Sequence, residues 1–272
     1  MAGPGKGKTA GGHATALSAL CVLGALLLAP APRVEAQNAP PAFITRECTA
    51  PGAQTASESP LPNVALALQR RKRIKILAIG ASSSAGIGAS KGGYHAVIRR
   101  MLEQTVKGLD VQIVHRGISG ELAENAAQRL KIEVGLNAPD LVLWQVGTND
   151  ALTYVPVERV EEVVGGTVRW LKDHKVDVVL VGLQYVSEMA RDSHYQAIRL
   201  ALRRIAQKEN VIIVRRYEAM ETLRKAPGAE PGSSVDEFAY NEAAYNCMAQ
   251  YVARAISIAL FGRDLRPPPS PP

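Results

Sequence analysis

The sequence contains few cysteines and no aromatic residues within its most basic stretch. Three cysteines occur in 272 residues, and the net charge is +7. The densest positive charge is at residues 70–73, which read Arg-Arg-Lys-Arg. Nucleic-acid sites interleave such charges with stacking side chains, so we expect this run to be a solvated entry to a strand. Nucleic acid is therefore not an expected partner.

The N-terminal apolar run is short for a membrane-spanning helix, and we interpret it as part of a signal peptide. The apolar run at residues 14–30 is shorter than the about 20 residues that a spanning helix needs. Lys6 and Lys8 precede this run, and the small residues Val34 and Ala36 follow it, as in a cleavable signal peptide. We expect residues 1–36 to be removed and the mature protein to be periplasmic or secreted, with no stable membrane anchor. An uncleaved N-terminal anchor is the alternative.

Two cysteines remain in the expected mature chain, Cys48 and Cys247. The third, Cys21, lies in the apolar run of the signal peptide. An even pair in an exported chain favours a disulfide over two unpaired thiols, which are the alternative. The bond would tie the N-terminal leader to the C-terminal helix and contribute about 4–5 kcal/mol in the chain-entropy model.

Short apolar runs alternate with amphipathic stretches along the rest of the chain. The runs predict strands at 75–79, 111–114, 141–146, 176–183 and 211–214. Helices are predicted at 94–106, 121–132, 157–174, 192–208, 217–223 and 241–261, with a helical turn at 63–69. Short connections between these elements indicate a parallel five-stranded sheet with helices on both faces, a three-layer α/β/α sandwich.

We expect one domain without internal repeats. It should occupy residues 74–262, after a leader at 37–73 whose residues 37–63 are rich in Pro, Ala, Ser and Thr. Residues 263–272 are proline-rich and should form a disordered tail.

Ligands of an open parallel sheet bind beyond the carboxyl ends of its strands. The candidate site therefore consists of the segments that follow the strands, together with the loop before the last helix. These segments are residues 82–84, 117–120, 147–150, 184–185 and 236–239.

The glycines that follow the first strand do not form a nucleotide-binding motif. Gly86 and Gly88 have the wrong spacing for a dinucleotide fingerprint, and the second strand lacks the terminal acidic residue that would hold a ribose. Lys91 follows Ser90 and not a glycine, which departs from the P-loop pattern. No cofactor is expected.

The same segments suit acyl transfer to a serine. Such chemistry needs a hydroxyl at a strand-to-helix turn, donors around the developing oxyanion and a base. Ser82 supplies the hydroxyl. The backbone N–H groups of Ser82 and Gly117 and the side-chain amide of Asn149 are candidate oxyanion donors. Gly117 has no side chain to keep its backbone away from a substrate.

Four segments, in this order, resemble the sequence blocks of the SGNH (GDSL) hydrolases, over roughly residues 74–260. Residues 80–86 are similar to the first block, with its serine at Ser82, and residues 116–120 to the second, with its glycine at Gly117. Residues 147–150 match the third block, and residues 236–241 align with the fifth, which reads Asp-x-x-His in the family. The resemblance implies a flavodoxin-like sandwich that hydrolyses small acyl esters or acylated glycans or lipids. It also implies that no metal or cofactor takes part, and we expect a monomer.

One position departs seriously from the family pattern. Ala239 stands where the fifth block has its catalytic histidine, which leaves Asp236 without an imidazole to orient. In serine hydrolases, loss of that histidine lowers turnover by about 10⁶. Two hypotheses follow. The chain is a serine esterase with reduced activity, or it is a non-catalytic relative that binds an acylated ligand or a protein partner.

Another histidine would have to accept the proton of Ser82. His194 follows the segment after the fourth strand and is the candidate substitute base. His95 is expected to be an exposed or half-buried helical residue, and His115 to point into the edge of the sheet. His174 is expected to interact with the dipole at the end of its helix.

Other polar residues near the site have structural interpretations as well. Asn149 is of a type that commonly binds its own backbone in a turn. Asp150 could cap the segment that follows it, and Asn241 suits the N-cap of the last helix. Trp144 and Trp170 are expected to pack in the core and between helices.

Overall fold

A parallel sheet of five strands forms the centre of the described structure. The computed structural model describes residues 44–45, 48–49, 55–80, 93–224 and 242–262, and the side chains of the last helix from residue 246 onward. The strands are β1 (Arg73–Gly80), β2 (Asp110–Gly117), β3 (Leu141–Gln145), β4 (Asp177–Val181) and β5 (Ile212–Val214). Their order is β2-β1-β3-β4-β5, and all neighbours are parallel. This is the flavodoxin-like order.

Helices cover both faces of the sheet, which confirms the predicted three-layer sandwich. The helices are α1 (Pro62–Arg71), α2 (Gly93–Thr105), α3 (Ala123–Asn137), α4 (Thr148–Leu152), α5 (Val157–Asp173), α6 (Ser193–Glu209), α7 (Arg216–Arg224) and α8 (Glu242–Phe261). Ile76 and Leu143 point into the core shared with α1, α2 and α8. Leu77 and Trp144 point into the core shared with α3, α5 and α6, and Trp170 packs at its border. All residues of β3 and β4 are buried, as in strands covered on both sides.

Two elements differ from the sequence prediction. α1 is a helix of 10 residues where only a helical turn was expected, and α4 is a short helix at the expected loop 147–150. α1 is stabilised from a distance, because the carboxylate of Asp177 accepts hydrogen bonds from the backbone N–H groups of Asn63 and Val64, both 2.9 Å long. These two hydrogen bonds satisfy backbone N–H groups at the N-terminus of α1, where no neighbouring side chain acts as a cap.

The leader adds a short antiparallel segment to the sheet edge. Ala56 pairs with Val214 of β5, and the N–H of Ser57 donates to the carbonyl oxygen of Ile213 (3.0 Å). The N–H of Arg215 donates in turn to Thr55 (2.8 Å). This pairing covers backbone groups that would otherwise be exposed at an edge strand.

Earlier in the leader, Cys48 and Cys247 form the predicted disulfide, which links the leader to α8. The hydroxyl of Tyr251 donates to the carbonyl oxygen of Cys48 (2.5 Å), and the N–H of Thr45 donates to the side chain of Gln250 (2.7 Å). The leader is therefore held by covalent and polar contacts to one helix. Among the described residues, no helix is long and apolar enough to cross a membrane.

Candidate functional site

The candidate site lies at the carboxyl ends of β1, β2 and β3, where the strand order reverses. Such a switch point opens a crevice in doubly wound sheets. Gly117, at the end of β2, is the register partner of Gly80, at the end of β1. The N–H of Ile118 also donates to the carbonyl oxygen of Gly80 (2.9 Å). Gly117 is thereby fixed beside the strand end that leads to Ser82.

Three predicted site residues lie outside the described residues. They are Ser82, Asp236 and Ala239, and Asn241 lies outside as well. The described part of the site therefore consists of the segments after β2, β3 and β4. Within the described ranges, no group of three His, Cys, Asp or Glu side chains could hold a metal ion.

Asn149 is held by the segment after β2. Its Nδ2 donates a hydrogen bond to the carbonyl oxygen of Glu121 (2.9 Å). The side chain thus does not bind its own backbone, and that interpretation of the sequence was wrong. A carboxamide carries two N–H hydrogens, and the amide has no other acceptor among the described residues. One N–H therefore orients the side chain toward the segment after β2.

Asp150 ties the same two segments together. Its carboxylate is buried and accepts a hydrogen bond from the N–H of Ala123 (2.9 Å) at the start of α3. Burial raises the pKa of this carboxyl, while the backbone hydrogen bonds that it accepts oppose the shift. The expected cap on the segment after Asp150 was wrong, because the carboxylate reaches back to an earlier helix.

Gly147 places α4 close to the neighbouring loop and helix. Its φ is +101°, a conformation that favours glycine. A Cβ atom at this position would lie 2.8 Å from Cδ1 of Leu183 and 2.8 Å from Cδ1 of Leu202. Both observations explain why the motif at residues 147–150 begins with glycine.

Gln184 connects the segment after β4 to three other elements. Its N–H donates to Oγ1 of Thr148 (3.0 Å), and its carbonyl oxygen accepts from the hydroxyl of Tyr195 (2.7 Å). Nη2 of the buried Arg216 donates to its side-chain oxygen (3.3 Å). The sequence analysis missed Tyr195 and Arg216. The position of Arg216, just after a predicted strand, was the available signal.

His194 lies in the first turn of α6. Its ring stacks on Tyr154, with ring centroids 5.1 Å apart. Its Nε2 is buried and has no hydrogen-bond partner among the residues that the structure describes. Asp192, two residues earlier, caps α6 by accepting from the N–H of Tyr195 (2.7 Å) and also accepts from the hydroxyl of Tyr154 (2.8 Å). The structure therefore brings His194 to the loops at the carboxyl edge of the sheet.

His95 is buried and only 5% exposed, so the expectation of an exposed or half-buried residue was wrong. The reason is that α2 packs against both β2 and α8. Burial, and to a smaller extent the nearby His115, lower the pKa of His95 to about 4. The two rings stack with centroids 5.6 Å apart, and His115 is exposed on the edge strand.

Comparison with known proteins identifies a matching family and similar proteins. The sequence profile of the non-GDSL lipase-like family matches residues 47–260. An arylesterase from Vibrio mimicus is 30% identical over 112 residues, which cover 40% of this chain and 54% of the relative. The chain thus matches about half the length of that relative.

Solved structures share the fold at lower identity. A catalytic mutant of an acetylxylan esterase from Geobacillus stearothermophilus is 21% identical, with a TM-score of 0.54 and coverage of 67% of this chain and 94% of the other. An alpha/beta hydrolase from the metagenome of Lake Arreo, Spain, is 19% identical, with a TM-score of 0.53 and coverage of 70% and 95%. These likenesses support the fold alone.

The resemblance to SGNH (GDSL) hydrolases, predicted from four short segments, is thus confirmed for family and fold. The matched profile extends from the leader to the end of α8. The chain therefore belongs to the non-GDSL lipase-like family.

Proposed function

We propose that the protein hydrolyses ester bonds of acyl groups, with Ser82 as the nucleophile. The observation that carries this proposal is the amide of Asn149, which Glu121 holds at the switch point of the sheet. We propose its second N–H as an oxyanion donor. Family membership and the 30% identical arylesterase support the same reaction class. The acetylxylan esterase among the structural neighbours acts on an acylated substrate as well.

In the proposed mechanism, Oγ of Ser82 bonds to the acyl carbon as the bond to the alcohol oxygen breaks. The N–H groups of Ser82, Gly117 and Asn149 stabilise the negative charge on the carbonyl oxygen in the transition state. The serine proton passes through a base to the leaving alcohol. Water then cleaves the acyl-serine ester, which restores the hydroxyl and releases the carboxylic acid.

The base is the weak point of this mechanism, because Ala239 replaces the family histidine and Asp236 has no imidazole to orient. We propose His194 as the substitute base, since it lies in the first turn of α6, close to the segment after β4. Its Nε2 is buried while Tyr154 stacks on the ring. Because this atom is buried, we expect proton transfer and turnover to be slow.

Ala239 itself favours a second candidate function. A family member that has lost its histidine but keeps the oxyanion donors would bind acylated ligands or a protein partner without turnover. In both cases we propose an exported protein. The disulfide between Cys48 and Cys247 supports export, since such bonds persist in oxidising compartments.

The two functions are separated by assays with short p-nitrophenyl esters. The esterase proposal expects slow turnover that is abolished in Ser82→Ala and reduced in His194→Ala. Removal of one oxyanion donor in Asn149→Ala should lower kcat by about 10²–10³. The control is Asn137→Ala, which removes a partly buried amide that donates to Glu133 at the C-terminal end of α3. This variant should retain the parent rate.

The variant Ala239→His completes the design. It should raise Ser82-dependent turnover by about 10² or more, because the triad histidine carries most of the catalytic effect. An inert parent together with an active Ala239→His would identify a silenced hydrolase and support the binding function. If no variant gains activity, the assignment of the site is wrong.

A further inference from the structure

Tyr154 is an exposed aromatic residue in an unusual backbone conformation. It lies two residues after the end of α4, and its side chain is 58% exposed. Its φ is +56°, in the left-handed region that non-glycine residues seldom adopt. Such strain is commonly found at functional positions and must be supported by neighbouring contacts.

The ring of Tyr154 is fixed by two contacts. Its hydroxyl donates to Oδ2 of Asp192 (2.8 Å), and one side of the ring stacks on His194 at an interplanar angle of 25°. An exposed tyrosine normally samples several rotamers. Here the orientation is set in advance, and the exposed part of the ring presents a flat apolar surface to solvent.

This surface belongs to the same edge of the sheet as the proposed oxyanion site. The N–H and the hydroxyl of Thr153 both donate to the carbonyl oxygen of Asn149, at 2.9 Å each. Tyr154 is the next residue, so its backbone is closely coupled to that of Asn149. Asp192 begins α6, and the ring therefore bridges the segments after β3 and β4.

We propose that the exposed face of Tyr154 stacks on a pyranose ring in the alcohol part of the ester, so that the substrate class is acylated sugars. The inference rests on the proposed function. Axial C–H groups of a pyranose present an apolar face that suits an aromatic ring. The carboxylate of Asp192 lies at the edge of the platform and provides an acceptor for sugar hydroxyls.

The charge state of Asp192 agrees with that role. Hydrogen bonds from the N–H of Tyr195 and from the hydroxyl of Tyr154 lower the pKa of this carboxyl. The group is therefore ionised at neutral pH. Charged acceptors form stronger hydrogen bonds than neutral ones.

Two esters with the same acyl group test the proposal, a monoacetylated methyl glucopyranoside and ethyl acetate. Tyr154→Ala should lower kcat/KM for the glucoside about tenfold more than for ethyl acetate, mainly through KM, as expected for loss of one stacking contact. Tyr154→Phe keeps the ring and should retain most of the selectivity. Leu200→Ala, at a 43% exposed position of α6, is the matched surface control.

Several outcomes would overturn the inference. Equal losses on both esters in Tyr154→Ala would indicate a structural role, and unchanged selectivity would exclude stacking. A loss on p-nitrophenyl acetate as large as that on the glucoside would show that any planar leaving group suffices. A selective loss in Tyr154→Phe equal to that in Tyr154→Ala would show that the contact with Asp192, and not the ring face, determines selectivity.

Binding measured without turnover separates this inference from the proposed function. In a Ser82→Ala background, the glucoside should give an NMR titration that Tyr154→Ala weakens about tenfold. If this holds while no variant hydrolyses any ester, the sugar platform stands and the hydrolase proposal fails. If the parent hydrolyses ethyl acetate but Tyr154→Ala leaves glucoside binding unchanged, the hydrolase proposal stands and the platform is refuted.

Discussion

Gly147 shows how one residue fixes the geometry of the candidate site. Its positive φ turns the chain from β3 into α4, and the space beside its Cα is filled by Leu183 and Leu202. The sequence motif predicts a glycine at this position. The reason becomes visible only when α6 packs beside the loop, because Leu202 is distant in the chain.

We expect Gly147→Ala to lower the free energy of unfolding by about 2–4 kcal/mol, since it adds backbone strain and overpacking. Urea denaturation would measure the change. Gly135→Ala is the control, because a Cβ atom there meets nothing within 4 Å and the residue lies within α3. That substitution should stabilise the protein by about 0.5–1 kcal/mol. Equal effects of the two variants would contradict the packing argument.

His95 makes stability depend on pH. Its pKa falls from 6.5 to about 4 on burial, so below pH 6.5 the unfolded chain takes up a proton that the native protein excludes. The contribution of the neutral ring is complete above pH 6.5 and is lost as the pH falls toward 4. We expect this residue to account for a loss of about 2–3 kcal/mol between pH 7 and pH 4.5.

The stability of the parent protein at pH 7 and pH 4.5 would be compared with that of His95→Leu, whose side chain cannot take up a proton. Denaturation curves at both pH values should show a smaller acid loss in that variant than in the parent. An identical loss in the two proteins would mean that other groups cause the acid sensitivity.

At the scale of elements, α1 depends on a side chain from another part of the fold. Asp177, at the start of β4, satisfies the N–H groups of Asn63 and Val64, and its Oδ1 accepts from Nδ2 of Asn63 (2.7 Å). Local sequence predicts the apolar strands well, because continuous runs of Val, Ile and Leu indicate buried strands. It cannot predict a cap that comes from 114 residues away.

Asp177→Ala should destabilise the protein by about 2 kcal/mol, because it leaves buried N-terminal donors of α1 unsatisfied. The free energy of unfolding from chemical denaturation is the measurement. Asp173→Ala removes a carboxylate at the exposed end of α5 and should change stability by less than about 0.5 kcal/mol. A loss in Asp173→Ala comparable to that in Asp177→Ala would argue against capping as the cause.

The site could be predicted from the sequence to the extent that topology determines it. Loops after parallel strands must meet at one edge, so the segments with Gly117 and Asn149 were expected to come together. The contact of Asn149 with Glu121, the bond from Asp150 to Ala123 and the burial of His95 depend on how helices pack. A linear pattern does not contain that information.

For the whole molecule, the leader joins the sheet edge and the last helix. Residues 55–57 pair with β5, and Cys48 is bonded to Cys247 across a sequence separation of 199. A cross-link over so long a loop restricts the unfolded chain strongly.

Replacement of both cysteines by alanine should lower the free energy of unfolding by about 2–5 kcal/mol. Thermal denaturation would show a lower Tm in this double variant, and a reductant should lower the Tm of the parent but not of the variant. An unchanged Tm in the double variant would show that the bond adds nothing to stability.

The disulfide also determines what a protease can accomplish. Nearly the whole domain lies between Cys48 and Cys247, so one backbone cut anywhere in that interval yields two pieces that are still one covalent molecule. Electrophoresis would show a single species until a reductant separates the pieces. The two pieces of a cleaved domain therefore stay at a high local concentration, which favours their continued association.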